Sequence, residues 1–344
     1  MKLAFIGGSG HHYLRQLPAE PAFAETEIAV ASDGHDAAAS AAFAESLRHG
    51  GVARPVRWFD TGRELLDTFK PDLLSVGAVY GYNGFWNAAA LERDIPTVTD
   101  KPAAATWPQW HRLRELASAN PKRILLTEFN FRSRPEFRSA RDAVLAGEIG
   151  TVVLATAQKS YRFGNRPSWY GDRDAYGGTM LWIASHGIDA IRFVTGQRFV
   201  RCVGRQGNLS QPRFGSMEDH VALLAELQSG ATAIVHADFC RPAAAPTHGD
   251  DRLRIVGSHG VVEVTQSRCQ IITEKLPPTD ITNRIAVRPI HLELLAIALG
   301  EPSSLYSTSE SLESAHVLLT ARDSADRQQW MATERAEEIA RESR

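Results

Sequence analysis

Short apolar runs alternate with helix-period stretches through the first third of the chain. Residues 3–6 read as a buried strand running into Gly7-Gly8-Ser9-Gly10, and 28–31 as a second strand ending at Ser32-Asp33. An alanine-rich helix is predicted over 36–47, with Ala37, Ala41 and Ala44 on one face. Further strands are predicted at 56–59, 73–78, 95–99 and 124–127, and helices at 64–69, 85–92 and 107–119. Strands and helices alternating at this spacing mean repeated βαβ units and a parallel sheet.

The texture changes after Phe129. A helix over 135–146 stops at Gly147, and a strand begins at 152–159. The runs 221–228 and 231–239 flank Ser229-Gly230, a two-residue hairpin signal. Short strands follow at 253–256, 260–264 and 269–273, and one helix over 180–194 interrupts the series. Two helices close the pattern, at 291–299 and 312–325, before a charged tail over 333–344. The fold class is therefore α/β, a doubly wound domain over 1–127 followed by an α+β domain over 128–344 on a mostly antiparallel sheet.

Composition agrees with two ordinary globular cores: 344 residues, 43% hydrophobic and 23% charged. The net charge of −2 offers no electrostatic reason for a nucleic-acid or membrane partner. Cys202, Cys240 and Cys269 are dispersed, which argues against a disulfide framework and a thiolate metal site. The start, Met1-Lys2-Leu3-Ala4-Phe5-Ile6-Gly7, turns glycine-rich too early for a signal peptide. No run approaches the roughly 20 apolar residues that span a bilayer, so a soluble, cytoplasmic protein is expected. Glu218-Asp219-His220 holds ligand-type side chains, but neighbours on a strand face opposite ways; it reads as solvated and no metal is expected.

Candidate chemistry begins at the glycine turn. It lies between the first strand and a helix expected near His12, where backbone N–H groups and a helix N-terminus hold a pyrophosphate. Asp33 follows the second strand, where a carboxylate accepts from a ribose hydroxyl. The fingerprint is imperfect, since Ser9 and His12 stand where a glycine is usual when it is read from Gly7. No arginine follows Asp33 to pair a 2′-phosphate, which favours NAD over NADP.

Thr99-Asp100-Lys101-Pro102 follows a strand end, where a side chain faces the crevice at the carboxyl edge of the sheet. Asn130-Phe131-Arg132, Gly147-Glu148-Ile149-Gly150 and Gly177-Gly178-Thr179 with His186 and Asp189 follow in order. Together these resemble the glucose–fructose oxidoreductase / inositol dehydrogenase / rhizopine-catabolism (Gfo/Idh/MocA) family over nearly the whole chain. Asp100-Lys101-Pro102 looks like that family's Glu-Lys-Pro. The resemblance implies a Rossmann domain plus an open-faced sheet domain, and NAD-dependent oxidation of a sugar, sugar acid or cyclitol. It implies Lys101 and His186 as the catalytic pair. Expected nucleotide contacts are Gly7, Gly8, Ser9, Gly10, His11, His12, Asp33, Ala78, Val79, Asn83, Asp100 and Lys101. A homodimer or homotetramer is also implied.

One position departs from the family. Its helix aspartate, four residues before the histidine, is Trp182 here. His186 is then the natural base, with Lys101 on the same oxygen, or a neutral Lys101 takes the proton itself. Trp182 could instead wall a pyranose ring. The aromatic and charged segment 161–176, with Tyr161 and Trp169, suits a polyhydroxylated substrate, and Arg132 and Asp189 complete the expected substrate contacts. Two other readings stay open: tightly held, recycled NAD in net non-redox sugar chemistry such as glycoside cleavage or epimerisation, and a non-catalytic nucleotide-binding sensor.

Overall fold

Every apolar run of the first third becomes a strand: β1 (Lys2–Ile6), β2 (Glu27–Ala31), β3 (Val56–Phe59), β4 (Leu73–Val76), β5 (Thr97–Thr99) and β6 (Leu125–Thr127). The computed structural model describes residues 1–49 and 55–333. All pairings in this sheet are parallel, in the order β3-β2-β1-β4-β5-β6. The order reverses between β1 and β4, which opens a crevice at their carboxyl ends. Leu3, Ala4, Phe5 and Ile6 are all fully buried, as a central strand covered on both faces requires.

Register places the chemistry. Ile6 pairs with Ala31 and Val76, Val76 with Thr99, and Thr99 with Thr127. The next residue on each strand, Ser32, Gly7, Gly77, Asp100 and Glu128, therefore falls in one row along the carboxyl edge.

Helices α1 (Ala37–His49), α2 (Gly62–Glu64), α3 (Asn83–Leu91) and α4 (Trp107–Ala119) lie between the strands. The buried stripe of α1 is Ser40, Phe43, Ala44 and Leu47, whereas Ala37 and Ala41 face solvent. Phe43 and Leu47 bury more apolar area than any alanine face could, and so set the rotation of the helix. The helix expected near His12 is a 3₁₀ segment, Tyr13–Ala19, with Pro18 inside it. Proline supplies no N–H and blocks an α-helix through that point.

The chain divides into two compact units, one of Met1–Glu128, Asp174–Gly177 and Arg288–Ala315, the other of Phe129–Arg173, Gly178–Val287 and the chain from His316. The single cut at 127/128 predicted from the sequence leaves out those two later segments of the first unit. Helix α9 (Ile290–Ala298) packs on the Tyr13–Ala19 segment. Thr308 and Ser311, on α10 (Thr308–Arg327), accept from the backbone amides of Leu125 and Thr127.

The second unit carries a nine-stranded sheet in the order β14-β13-β12-β11-β7-β10-β9-β8-β15. Its strands are β7 (Val152–Tyr161), β8 (Phe199–Gly207), β9 (His220–Leu227), β10 (Thr232–Asp238), β11 (Gly249–Gly257), β12 (Gly260–Thr265), β13 (Arg268–Thr273), β14 (Leu276–Asp280) and β15 (Met331–Ala332). Among the described residues of this sheet, only β7 and β10 pair in parallel. The Ser229-Gly230 hairpin forms as expected, with Gly230 at φ +86°. The sequence pattern misses β8, whose outward positions carry Arg201 and Arg205, and β14, where two prolines mask a strand that is tolerated because it is an edge. Helix α5 (Pro135–Leu145) packs on β12 and β13. The helix expected over 180–194 is broken at Ile183 into α7 (Thr179–Trp182) and α8 (Ala184–Thr195), after the short α6 (Arg173–Tyr176). Ser185 caps that break by donating to the Trp182 carbonyl at 2.6 Å. Of the charged tail expected over 333–344, residues 334–344 lie outside the described residues.

Candidate active site

The glycine turn is held tightly against the protein. Gly7 has φ +86°, and a Cβ on it would lie 2.5 Å from Ala78 Cα. A Cβ on Gly8 would meet the Ala39 carbonyl oxygen at 2.3 Å, and one on Gly10 would meet Asp100 Oδ2 at 2.8 Å. The amides of Ser9 and Gly10 both donate to the Gly77 carbonyl, at 3.1 and 2.8 Å. That corrects the expected cradle, because these two donors already serve the protein.

His12, expected at the nucleotide, is a core residue instead. Its Nδ1 lies 2.7 Å from Ser75 Oγ and its ring packs on Phe5 and Phe43. Burial lowers its pKa to about 4. An unfolded histidine titrates near 6.5, so between those values only the unfolded chain binds the proton. The stabilising neutral form is complete above about pH 6.5 and its contribution is lost as pH falls toward 4. We expect the first unit to lose about 2 kcal/mol between pH 7 and pH 5 from this group. Urea midpoints at the two pH values check this, and an equal pH dependence in His12→Asn would reject it.

Asp33 is buried at the end of β2. Its Oδ1 accepts from the amides of His35 and Asp36, and Oδ2 from the amide of Val79 at 2.7 Å. Each carboxylate oxygen takes about two hydrogen bonds, so Oδ2 keeps room for one hydroxyl. A Cβ on the neighbouring Gly34 would meet nothing, and beyond it His35 and Tyr82 stack with centroids 3.3 Å apart. Ala78, Val79 and Asn83, also expected at the nucleotide, are buried scaffold. Asn83 accepts from the Ala78 amide and donates to the carbonyls of Asp100 and Pro102, tying two loops of the crevice together.

Next along the edge row comes a cluster of four ionisable groups. Asp100 is fully buried; Oδ2 accepts from the His11 amide at 2.7 Å and Oδ1 from the Lys101 amide at 2.8 Å. Lys101 Nζ lies 3.1 Å from Asp100 Oδ1 and 3.3 Å from His11 Nδ1, which is itself 3.2 Å from Asp100 Oδ2. Burial alone would raise the Asp100 carboxyl, but the Lys101 charge and then His11 outweigh it and hold it well below the usual carboxylate range. Glu128 goes the other way. Burial, reinforced by the Asp100 charge, pushes its carboxyl well above the ordinary value. Its Oε1 accepts from the Tyr13 amide, and its Oε2 has no hydrogen-bond partner among the described residues. No motif marked Glu128; its place one residue past β6 is the signal that could have found it.

In the second unit, His186 sits buried on α8 with its ring 5.1 Å from Phe131, which stacks on Phe137 at 4.2 Å. Arg132 and Asp189, both expected against substrate, are instead taken up by each other inside the unit. Arg132 Nη2 lies 2.5 Å from Asp189 Oδ1, and Nε 3.0 Å from Oδ2. Trp182 is buried as well. Tyr161 and Trp169 are half-buried, Tyr161 with its ring 4.8 Å from His248 and Trp169 with its ring 4.6 Å from Tyr170.

Sequence reasoning missed Lys159. This buried β7 lysine lies 2.6 Å from Asp251 Oδ1, with Nζ over the rings of Phe131 and Tyr161 at 4.6 and 4.8 Å. A lysine at the inward phase of an alternating strand, in step with Ala155 and Ala157, was the available signal. The solvated reading of Glu218-Asp219-His220 is also corrected. Glu218 is buried and accepts from the Thr179 amide while pairing with Arg173. Asp219 is fully buried and accepts from Ser210 and the Leu209 amide.

Comparison with known proteins agrees with this arrangement. Residues 137–263 match the model of the GFO/IDH/MocA C-terminal domain. Inositol 2-dehydrogenase 3 of Saccharopolyspora erythraea is 27% identical over 225 residues, 65% of this chain and 62% of that protein's length. A Thermotoga maritima structure classed as an oxidoreductase superposes with a TM-score of 0.88 at 29% identity, covering 96% of this chain and 100% of that one. An inositol dehydrogenase homologue of Azotobacter vinelandii, complexed with NAD+, shares the fold with a TM-score of 0.75 at 18% identity, over 96% and 97% of the two chains. Residues 137–263 thus form a C-terminal domain of the GFO/IDH/MocA type, and the sheet order and ordered motifs of the chain are similar to those of that family.

Proposed function

We propose that the protein is an NAD-dependent oxidoreductase moving hydride between a carbinol of a sugar, sugar acid or cyclitol and nicotinamide. The observation that carries this reading is the Lys101 ammonium, held by Asp100 and His11 at the carboxyl edge of the parallel sheet beside the glycine turn. The donor set fits a pyridine dinucleotide in two respects: Asp33 Oδ2 retains capacity for one ribose hydroxyl, and Lys101 supplies a cation. The pyrophosphate would be held by donors other than the amides of Ser9 and Gly10. When bound, the cofactor supplies the hydride acceptor. Lys101 holds the carbinol oxygen and offsets the negative charge that develops there. His186, in the second unit, is the second acid–base group.

Substrate class is supported by the relative named for inositol. The partly exposed aromatic faces of Tyr161 and Trp169 suit the C–H faces of a polyol ring. Trp169→Ala should raise KM several-fold with kcat little changed; an unchanged KM would assign that loop to packing. A homodimer or homotetramer is part of the same reading, supported by Leu224 and Ile234, which lie exposed on neighbouring strands of the second sheet.

The test is nucleotide binding. Any nucleotide released on denaturation is identified first, and NAD(H) and NADP(H) are then titrated. Exchangeable, micromolar NAD with weaker NADP is the expected result, because the buried Asp33 carboxylate repels a 2′-phosphate. Nucleotide that survives purification would move the assignment to a recycled cofactor. Binding of neither would sink the redox reading.

A further inference from the structure

We propose that His11 is the proton relay of Lys101, carrying the substrate's hydroxyl proton out to water. The inference rests on the dehydrogenase reading above and assigns a route that the reading leaves open. Each hydride removed from a carbinol leaves one proton to dispose of. Lys101 is 3% exposed, so its ammonium has almost no water of its own to receive one. Its Nζ lies 3.3 Å from His11 Nδ1, and the His11 side chain is 52% exposed. The imidazole thus has one nitrogen turned to the buried pair and a flank in solvent.

Asp100 Oδ2 holds His11 through its amide at 2.7 Å and lies 3.2 Å from Nδ1, where it accepts once that nitrogen is protonated. The same carboxylate stabilises the imidazolium that forms in passing. The other ionisable groups around His11 do not substitute for it. Glu128 is 1% exposed and its carboxyl favours the protonated form. His12 is locked against Ser75, with Arg15 beyond it, and Tyr13 stacks 6.2 Å away.

Oxidised nicotinamide, when bound, would take the carbinol C–H hydrogen with its electron pair and be reduced as the alcohol is oxidised, which leaves the hydroxyl proton for this chain's residues. The O–H bond breaks and its proton goes to Lys101 Nζ as Nζ gives one of its own to His11 Nδ1. His11, now an imidazolium, releases its Nε2 proton to water, and exchange of the ring hydrogens with water returns the hydrogen to Nε2 before the next turnover. Lys101 ends as it began, an ammonium paired with Asp100.

Two measurements test the relay. The first needs neither cofactor nor substrate: nitrogen-15 NMR of the histidines at pH 8, with His11 assigned from His11→Ala. Acceptance from Lys101 puts the hydrogen on Nε2 in the wild type, whereas in Lys101→Met it should move to Nδ1, which then donates to Asp100. The same tautomer in both proteins would overturn the proposal.

The second uses NAD+ and whichever sugar or cyclitol the wild type oxidises. His11→Ala should lower kcat about 10²-fold, keep the Kd for NAD+ within twofold, and recover at least tenfold with added imidazole. A kcat within twofold of wild type, or a loss that imidazole does not relieve, would also overturn it. If the wild type oxidises no polyol, the functional reading fails, while the tautomer result still decides whether His11 accepts from Lys101.

Discussion

Lys101→Met is expected to lower kcat by about 10²–10⁴-fold while leaving the Kd for NAD+ within about twofold. Methionine keeps most of the side chain's length and apolar bulk but removes the ammonium that Asp100 holds at the carboxyl edge of the sheet. Charge developing on a substrate oxygen then has no fixed ammonium to meet it. The substitution also strands Asp100. With Lys101 gone, burial of that carboxylate is opposed chiefly by His11, and the first unit should lose stability. Lys101→Arg separates the two effects. It restores the charge beside Asp100 and hence much of the stability, but a planar fork in place of a point charge should not restore turnover. Steady-state kinetics, nucleotide titration and urea midpoints on both variants make the comparison. Wild-type turnover in Lys101→Met would remove this lysine from the mechanism.

Asp189→Asn should destabilise the second unit by about 3–5 kcal/mol, because it leaves the Arg132 guanidinium charged inside the unit without its carboxylate. Arg132 stands over the rings of Phe129 and Phe193, whose cation–π attraction offsets part of the loss. Replacing both partners, in Arg132→Met with Asp189→Leu, should recover most of the stability, since no buried charge is then left over. Urea unfolding of the two variants checks this. A cost below about 1 kcal/mol in the single variant would mean that the pair is solvated and return both residues to the substrate-binding candidates.

These expectations differ in how far the sequence alone supports them. The parallel sheet was legible because its strands are buried on both faces and read as unbroken apolar runs set between helix-period stretches. Lys101, Asp33 and the glycine turn were legible because each follows a strand end, and strand ends in a doubly wound sheet face the crevice. Glu128 and Lys159 were not, since nothing local distinguishes a buried acid or lysine from a solvated one. Arg132 and Asp189 were expected against substrate, and the structure pairs them with each other. Their ion pair spans 57 positions and becomes visible only when α8 packs beside the 3₁₀ turn that carries Arg132.

What the sequence by itself determined is the βαβ alternation, the change to an antiparallel sheet after Phe129, the ordered family motifs and the lysine on which the functional reading turns. These follow from periodicity and local turn chemistry, which act over a few residues. Only the tertiary structure decided that the amides of Ser9 and Gly10 are spent on Gly77, that His12 lies in the core, and that His11, Asp100, Lys101 and Glu128 share one edge. Those outcomes depend on strand register and burial. A hydrogen bond or charge is strong or costly according to what surrounds it, and only the folded chain supplies those surroundings.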